Sequence, residues 1–205
     1  MSWFVATIYD RFMAESERAC LAAWRHALLG ELTGSVIEIG AGTGRNLDHY
    51  PLGLERLVLA EPDRHMRSRL RALSTEHEHP AEVIAAPAQA LPVDSESFDV
   101  VVCTLVLCSV ADVDATLAEA RRVLKPGGRF VFIEHVAAEG GSRLAWQRRV
   151  EPVWKRIADG CHLTRRTGES LERAGFELSD VKRESMRKAL SIVRPTLRGV
   201  ARKKP

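Results

Sequence analysis

The chain has 205 residues, of which 45% are hydrophobic and 28% charged, and this composition excludes a globally disordered protein. The length suits one domain with a sizeable core. The formal net charge of +3 is too small to indicate a nucleic-acid-binding protein. Positive charge is concentrated in residues 143–205, which hold 17 Lys and Arg against 7 Asp and Glu. This basic C-terminal third of the chain is compatible with peripheral contact with a membrane surface.

Cysteine usage and hydropathy both favour a cytoplasmic protein. The four cysteines, Cys20, Cys103, Cys108 and Cys161, form no Cys-x-x-Cys pair, so we expect neither a disulfide framework nor a metal site. No apolar run approaches the ~18 residues of a membrane span, so we expect no integral membrane segment. The first ten residues also lack the pattern of a secretory signal.

Strand-like and helix-like segments alternate along the chain, which predicts an α/β fold with a mainly parallel central sheet flanked by helices. Apolar runs predict strands at 35–39, 56–60, 82–85, 98–106 and 129–136, and weaker strands at 176–184 and 190–194. Helical spacing predicts helices at 11–29, from about 46, and at 63–73, 112–124, 144–157 and 167–174. We expect Pro152 to interrupt the fifth helix and residues 125–128 to form a tight break.

The sharpest motif lies where the first predicted strand ends. The segment Val36-Ile37-Glu38-Ile39-Gly40-Ala41-Gly42-Thr43-Gly44 runs from a strand into Gly-x-Gly-x-Gly and then toward a helix. Such glycines let the backbone turn sharply and let a ligand approach the main chain. A dinucleotide fingerprint would place its third glycine at position 45, which is Arg45 here. The spacing therefore favours S-adenosylmethionine over a nicotinamide dinucleotide.

An acidic residue follows the second predicted strand. Glu61 comes directly after the apolar run Leu57–Ala60 and seventeen residues after Gly44. An ionised carboxylate only accepts hydrogen bonds, so it suits the two hydroxyl groups of a ribose. Together with the glycine loop, this carboxylate predicts a nucleoside-containing cofactor at the ends of the first two strands.

These residues resemble the class I S-adenosylmethionine-dependent methyltransferases, and the resemblance spans about Tyr9 to Phe176. Segments similar to the ubiquinone and menaquinone biosynthesis methyltransferases are Leu91-Pro92, Ser97–Leu107, Arg121–Gly128 and Glu134-His135. Segments similar to the methyltransferase-like thiol S-methyltransferases are Val101–Val110, Trp146-Gln147, Glu151–Lys155 and Asp159–Arg165. The resemblance implies a Rossmann-like fold, S-adenosyl-L-methionine as cofactor with S-adenosyl-L-homocysteine as product, and a small thiol as methyl acceptor.

The resemblance also implies the cofactor contacts and the organisation of a single domain. It divides the chain into an N-terminal helical lid (1–30), a cofactor-binding core (35–136) and an acceptor-side region of helices and C-terminal strands (140–205). The cofactor-binding residues that it implies are Tyr9, Glu38, Gly40, Ala41, Gly42, Gly44, Asn46, Glu61, Pro62, Ala88, Gln89, Thr104, Leu105 and Cys108. Pro87 stands where many relatives carry an Asp for the adenine amino group, so backbone groups near Ala88 would hold the adenine.

In this fold the methyl group lies beyond the ends of the fourth and fifth strands. His135 is the first candidate for a general base, with the orienting of a loop as its alternative role. Asp159 and His162 are further candidates, again beside a structural role. A quinone, phenol or phospholipid amine as acceptor, and a non-catalytic S-adenosylmethionine-binding protein, remain alternatives. Nothing in the sequence indicates the oligomeric state.

Overall fold

The structure is a computed structural model that describes residues 14–77 and 81–204. Its strands are β1 Ser35–Ile39, β2 Arg56–Ala60, β3 Glu82–Ile84, β4 Phe98–Thr104, β5 Leu124–His135, β6 Phe176–Ser185 and β7 Pro195–Lys203. They form one sheet in the order β3-β2-β1-β4-β5-β7-β6. The strands β1 to β5 pair in parallel, and β7 is antiparallel to both β5 and β6. This topology confirms the predicted α/β fold with a mainly parallel sheet.

Helices flank the sheet and include one near the N-terminus. The α-helices are α1 Ala22–Leu29, α2 Arg64–Glu76, α3 Val113–Val123, α4 Gly141–Ile157 and α5 Thr167–Arg173. A π-helical segment, Glu17–Leu21, leads directly into α1. Asp63 and Asp112 cap α2 and α3, since each carboxylate accepts backbone N–H groups from the first helical turn. Within the described ranges, no helix combines the length and apolar character that crossing a membrane requires.

The central strands are apolar because both faces of the sheet are covered. In β4, Val101 and Cys103 belong to one buried cluster, whereas Val100 and Val102 belong to another. Successive side chains of a strand point to opposite faces, so the two clusters lie on the two sides of the sheet. The near-continuous apolar run that predicted this strand is thus the signature of a doubly covered parallel strand.

A third buried cluster attaches the N-terminal helix to the C-terminal half. Leu21 and Trp24 pack with Ile133, Leu163 and Ile192, all of which are buried. Residues Leu21 and Trp24 therefore pack against the end of β5.

Three predicted elements differ from the structure. The helix expected from about residue 46 is only a 3-10 turn, Leu47–His49, because Tyr50 is already extended. Pro152 does not interrupt α4. Proline has no N–H group, so the carbonyl oxygen of Arg148 loses its helical hydrogen-bond partner. Both residues are exposed to solvent. The strand expected at 190–194 is mainly a turn, and the next strand, β7, begins only at Pro195 and lies between β5 and β6 in the sheet.

Two further boundaries are shifted. Residues 125–128 do not end the strand but form an irregularity within β5, where the pairing with β4 changes register. The helix α2 continues to Glu76, beyond the predicted end at residue 73. Both differences arise at polar or glycine-containing stretches, where the pattern of apolar residues carries no boundary signal.

Gln147 anchors α4 to the ends of two strands. Its side chain is fully buried, and its Oε1 accepts the backbone N–H of Ala138 at 2.7 Å. Its Nε2 donates to the carbonyl oxygens of Val136 at 3.2 Å and Ile192 at 2.8 Å. One amide thus connects α4, the end of β5 and the turn before β7.

Replacing Gln147 with Leu should destabilise the protein by about 2–4 kcal/mol, because three backbone groups lose their partner and a buried unpaired group costs about 1–3 kcal/mol. Urea unfolding followed by circular dichroism measures this change. The neighbouring Arg148→Ala is the matched control, since Arg148 is exposed and should cost under about 0.5 kcal/mol. Equal stabilities of the two variants would contradict the anchoring role of Gln147.

Candidate active site

The glycine loop is packed on one side and open on the other. Gly40, Gly42 and Gly44 all have positive φ angles, of 67°, 58° and 93°. A Cβ atom on Gly40 would lie 2.6 Å from a methyl group of Val106, whereas a Cβ on Gly42 would meet no atom within 4 Å. The backbone N–H groups of Gly40 and Ala41 both donate to the carbonyl of the last residue of β2. The open side at Gly42 is therefore where a ligand can approach the main chain.

Glu61 lies directly beside this loop. Its Oε2 accepts the backbone N–H of Gly42 at 2.8 Å, and its Oε1 accepts that of Asp63 at 2.8 Å. Burial raises the pKa of Glu61, and the two backbone hydrogen bonds partly oppose this rise. The two sequence signals, a glycine loop and a carboxylate at a strand end, thus form one structural unit.

Three of the residues predicted to bind cofactor form a buried polar network. Glu38 accepts hydrogen bonds from Asn46 Nδ2 and from Tyr50 Oη, each at 2.7 Å. Asn46 Nδ2 also contacts Thr104 Oγ1 at 3.1 Å. Arg25 Nη1 donates to Asn46 Oδ1 at 2.6 Å and to Thr104 Oγ1 at 3.0 Å. Burial raises the pKa of Glu38, although the hydrogen bonds from Tyr50 and Asn46 and the charge of Arg25 oppose this rise. The network ties α1 to the ends of β1 and β4.

Sequence reasoning missed Arg25 and Tyr50. Arg25 is only 4% exposed, although it is a charged residue on an otherwise apolar helix face, and Tyr50 is 5% exposed. A lone arginine among apolar helical positions was the available signal, because a buried charge requires a buried partner. One partner, Glu17, lies only eight positions away and accepts from Arg25 Nε at 2.9 Å. The other two partners lie 21 and 79 positions away in the chain, and no local pattern identifies them.

The other residues predicted to bind cofactor lie around the same edge. Pro62 is exposed and follows Glu61, and Ala88 and Gln89 are half-buried in the loop after β3. That loop contains a turn in which the N–H of Ala90 donates to the carbonyl of Pro87 at 3.2 Å. Tyr9 lies outside the described residues.

The loop after β4 is held by a buried carboxylate that sequence reasoning also missed. Glu134 accepts the backbone N–H groups of Val106, Leu107 and Cys108 at 2.9, 3.0 and 3.2 Å. Burial raises the pKa of Glu134, and these hydrogen bonds oppose the rise. Leu105, directly before this loop, has a φ of 58°, a strained value for a residue with a side chain. The backbone at this strand end is therefore tightly determined.

His135 lies in a buried cluster of sulfur and nitrogen atoms. Its Nε2 is 2.8 Å from Cys161 Sγ, which also accepts the indole N–H of Trp154 at 3.1 Å. Hydrogen bonds from Cys108, His135 and Trp154 outweigh burial and lower the pKa of Cys161 to about 5. Burial lowers the pKa of His135, but the hydrogen bond and negative charge of Cys161 outweigh it and raise the pKa overall. Cys161 and His135 thus form a hydrogen-bonded pair in which each group favours the charged form of the other.

The other two candidate bases do not join this cluster through their side chains. Asp159 is exposed and occupies a turn with a φ of 48° after α4. His162 Nδ1 lies 3.5 Å from a carboxylate oxygen of Glu151, and burial together with nearby cations lowers the pKa of His162. The backbone N–H of His162 donates to the carbonyl of Cys108 at 2.7 Å, so this loop is fastened to the loop after β4. Of the three candidates, only His135 joins the cluster through its side chain.

Comparisons with known proteins agree with this geometry. The family model described as "Methyltransferase domain" matches residues 37–132. The human thiol S-methyltransferase TMT1A is 39% identical over 205 residues, covering 95% of this chain and 81% of that protein. The human thiol S-methyltransferase TMT1B is 42% identical over 154 residues, covering 73% of this chain and 63% of that protein.

A solved structure shares the fold. It is the methyltransferase in complex with the Trm112 methyltransferase activator of Haloferax volcanii, with a TM-score of 0.75 and 18% identity over 98% of this chain and 96% of that chain. The matched domain contains both the glycine loop and Glu61, and the similarity to TMT1A extends over nearly the whole chain. The chain therefore belongs to the class I S-adenosylmethionine-dependent methyltransferases, and S-adenosylmethionine is its methyl donor.

Proposed function

We propose that this enzyme transfers the methyl group of S-adenosylmethionine to the sulfur of a small thiol. The observation that carries the proposal is the 39% identity to a thiol S-methyltransferase over 95% of the chain. The arrangement of the candidate bases supports it. Within the described residues, His135 is paired with Cys161, His162 with Glu151, and Asp159 is a surface residue.

A thiol is the acceptor that least requires a dedicated base. With an ordinary pKa of about 8.5, a thiol is a few per cent thiolate at pH 7 and is intrinsically nucleophilic. A phenol, with a pKa of about 10, depends far more on a positioned base. A site whose histidines are already paired therefore favours an acceptor that ionises by itself.

The residues around the glycine loop fit the donor. A carboxylate has about four acceptor positions, and the backbone N–H groups of Gly42 and Asp63 use two of those on Glu61. The remaining positions suit the two ribose hydroxyl groups. The free space at Gly42 admits a ligand to within contact distance of the backbone. The bound donor supplies a methyl group already activated on a sulfonium sulfur, so the protein mainly aligns the acceptor and excludes water.

Replacing Glu61 with Ala should weaken binding of S-adenosylhomocysteine at least tenfold. A hydrogen bond to a charged group contributes about 1.5–3 kcal/mol, and 1.4 kcal/mol corresponds to a tenfold change in affinity. Isothermal titration calorimetry measures the change, and Glu82→Ala, an exposed glutamate at the start of β3, is the control. Unchanged affinity in the Glu61 variant would contradict the assignment of this carboxylate to the ribose.

Replacing Gly42 with Val should abolish cofactor binding. The branched side chain would occupy the open side of the loop and would force a β-branched residue into a left-handed conformation. The control is Gly53→Val, because Gly53 also has open space around its Cβ position but has no positive φ. Binding is measured by calorimetry beside a circular dichroism spectrum. A Gly42 variant that still binds cofactor would show that the ligand lies elsewhere.

The acceptor is tested by turnover of labelled S-adenosylmethionine against sulfide, alkyl thiols, phenols, quinols and phosphatidylethanolamine. We expect methylation of alkyl thiols, with rates that rise about tenfold per pH unit below the pKa of the thiol. Across thiols of different acidity, the apparent pKa of the rate should follow the substrate. Turnover of a phenol, quinol or lipid amine, with thiols inert at millimolar concentration, would overturn the proposal.

A further inference from the structure

Three potential metal ligands converge from separate parts of the chain. Cys108 comes from the loop after β4, His135 from the end of β5, and Cys161 from the loop after α4. Their two Sγ atoms and one imidazole nitrogen all lie within 4.8 Å of one another. All three residues are buried, with exposed fractions of 2%, 7% and 6%.

We propose that Cys108, His135 and Cys161 form a binding site for a single zinc ion. Two thiolate sulfurs and one imidazole nitrogen are a donor set that zinc prefers, whereas magnesium and calcium require oxygen ligands. Zn–S and Zn–N bonds of about 2.3 and 2.0 Å separate the donor atoms of a tetrahedral site by roughly 3.5–3.8 Å. The observed cluster lies within reach of that spacing, and the Cys161–His135 contact of 2.8 Å must widen by under about 1 Å.

The ligand positions are held by bonds that do not involve a metal. Glu134 holds the backbone of Cys108, and the N–H of His162 connects the two cysteine-bearing loops. The indole N–H of Trp154 donates to Cys161 Sγ, the kind of outer hydrogen bond that orients a metal ligand. A site held in this way needs only small side-chain movements to accept an ion.

The three donor groups can also balance the charge of a zinc ion inside the fold. Two thiolates carry the two negative charges that neutralise Zn²⁺, and the imidazole of His135 would bind as a neutral ligand through Nε2. This balance matters because all three residues are buried, and an uncompensated charge in the interior is costly.

The proposed site has one free coordination position. In the part of the chain that the structure describes, no fourth His, Cys, Asp or Glu joins the three ligands. Catalytic zinc sites use three protein ligands and leave the fourth position to an exogenous ligand. A thiol sulfur suits this position, and this assignment of the fourth ligand rests on the proposed thiol methyltransferase function.

The test uses the purified full chain, loaded with zinc and passed through a desalting column, with the retained metal measured by mass spectrometry. Wild type and Cys103→Ala should each retain one zinc ion per chain; Cys103 is a buried cysteine outside the cluster. Cys108→Ala and Cys161→Ala should bind zinc more than about 100-fold more weakly, since loss of a mere outer-shell partner costs roughly 10–100-fold. Circular dichroism verifies that each variant is folded.

Cobalt substitution tests the same site in the wild-type protein, independently of whether a variant folds. Thiolate-to-cobalt absorption that saturates at one equivalent supports the site. Absence of this absorption, absence of zinc from wild type, or equal zinc retention in every variant would overturn it. Added ethanethiol should change the cobalt spectrum, and an unchanged spectrum would overturn the open position. Because none of these measurements needs turnover, zinc retention with inert thiols would refute only the proposed function.

Discussion

Buried backbone N–H groups need hydrogen-bond partners, and carboxylates at the strand ends meet this requirement along the carboxyl edge of the sheet. Glu61, after β2, accepts from Gly42 in the loop that follows β1. Glu134, near the end of β5, accepts from three successive residues of the loop that follows β4. Each carboxylate therefore lies at the end of one strand and holds the loop that follows a neighbouring strand. Both loops therefore depend on the parallel order of the sheet, which brings these strand ends together.

The same edge carries two networks, one near the glycine loop and one at the proposed acceptor position. Glu38 holds Asn46 and Tyr50 near the glycine loop, and Arg25 extends that network into the N-terminal helix. On the other side, Trp154 from α4 reaches the Cys161–His135 pair at the end of β5. The catalytic chemistry of a methyltransferase is mainly alignment of donor and acceptor. A rigid edge with two well-held loops is the structural basis for that alignment.

The proposed acceptor side differs chemically from the proposed cofactor side. The proposed cofactor side includes the glycine backbone and the carboxylate of Glu61, which suit a polar nucleoside. The proposed acceptor side gathers Cys108, Cys161, His135 and Trp154, which are soft, polarisable or apolar groups. Sulfur ligands favour soft partners, a preference shared by a thiol acceptor and by a zinc ion. The chemistry of the cluster therefore relates the proposed acceptor and the proposed metal, although each is tested separately.

The sequence by itself was enough to predict the fold class, the ligand-binding glycine loop and the carboxylate Glu61 at a strand end, and to identify the resemblance to methyltransferases. These features depend on local periodicity and on residues close together in the chain. It did not determine the end of the sheet, since Pro195 and Gly199 weaken the strand pattern of β7, which forms only through pairing with β5 and β6. Nor did it reveal the roles of Arg25 or Glu134. The spacing of the cysteines predicted no metal site, yet Cys108 and Cys161 meet His135 in the folded chain. Only the tertiary structure decides such contacts, because parallel strands bring together residues that are distant in sequence.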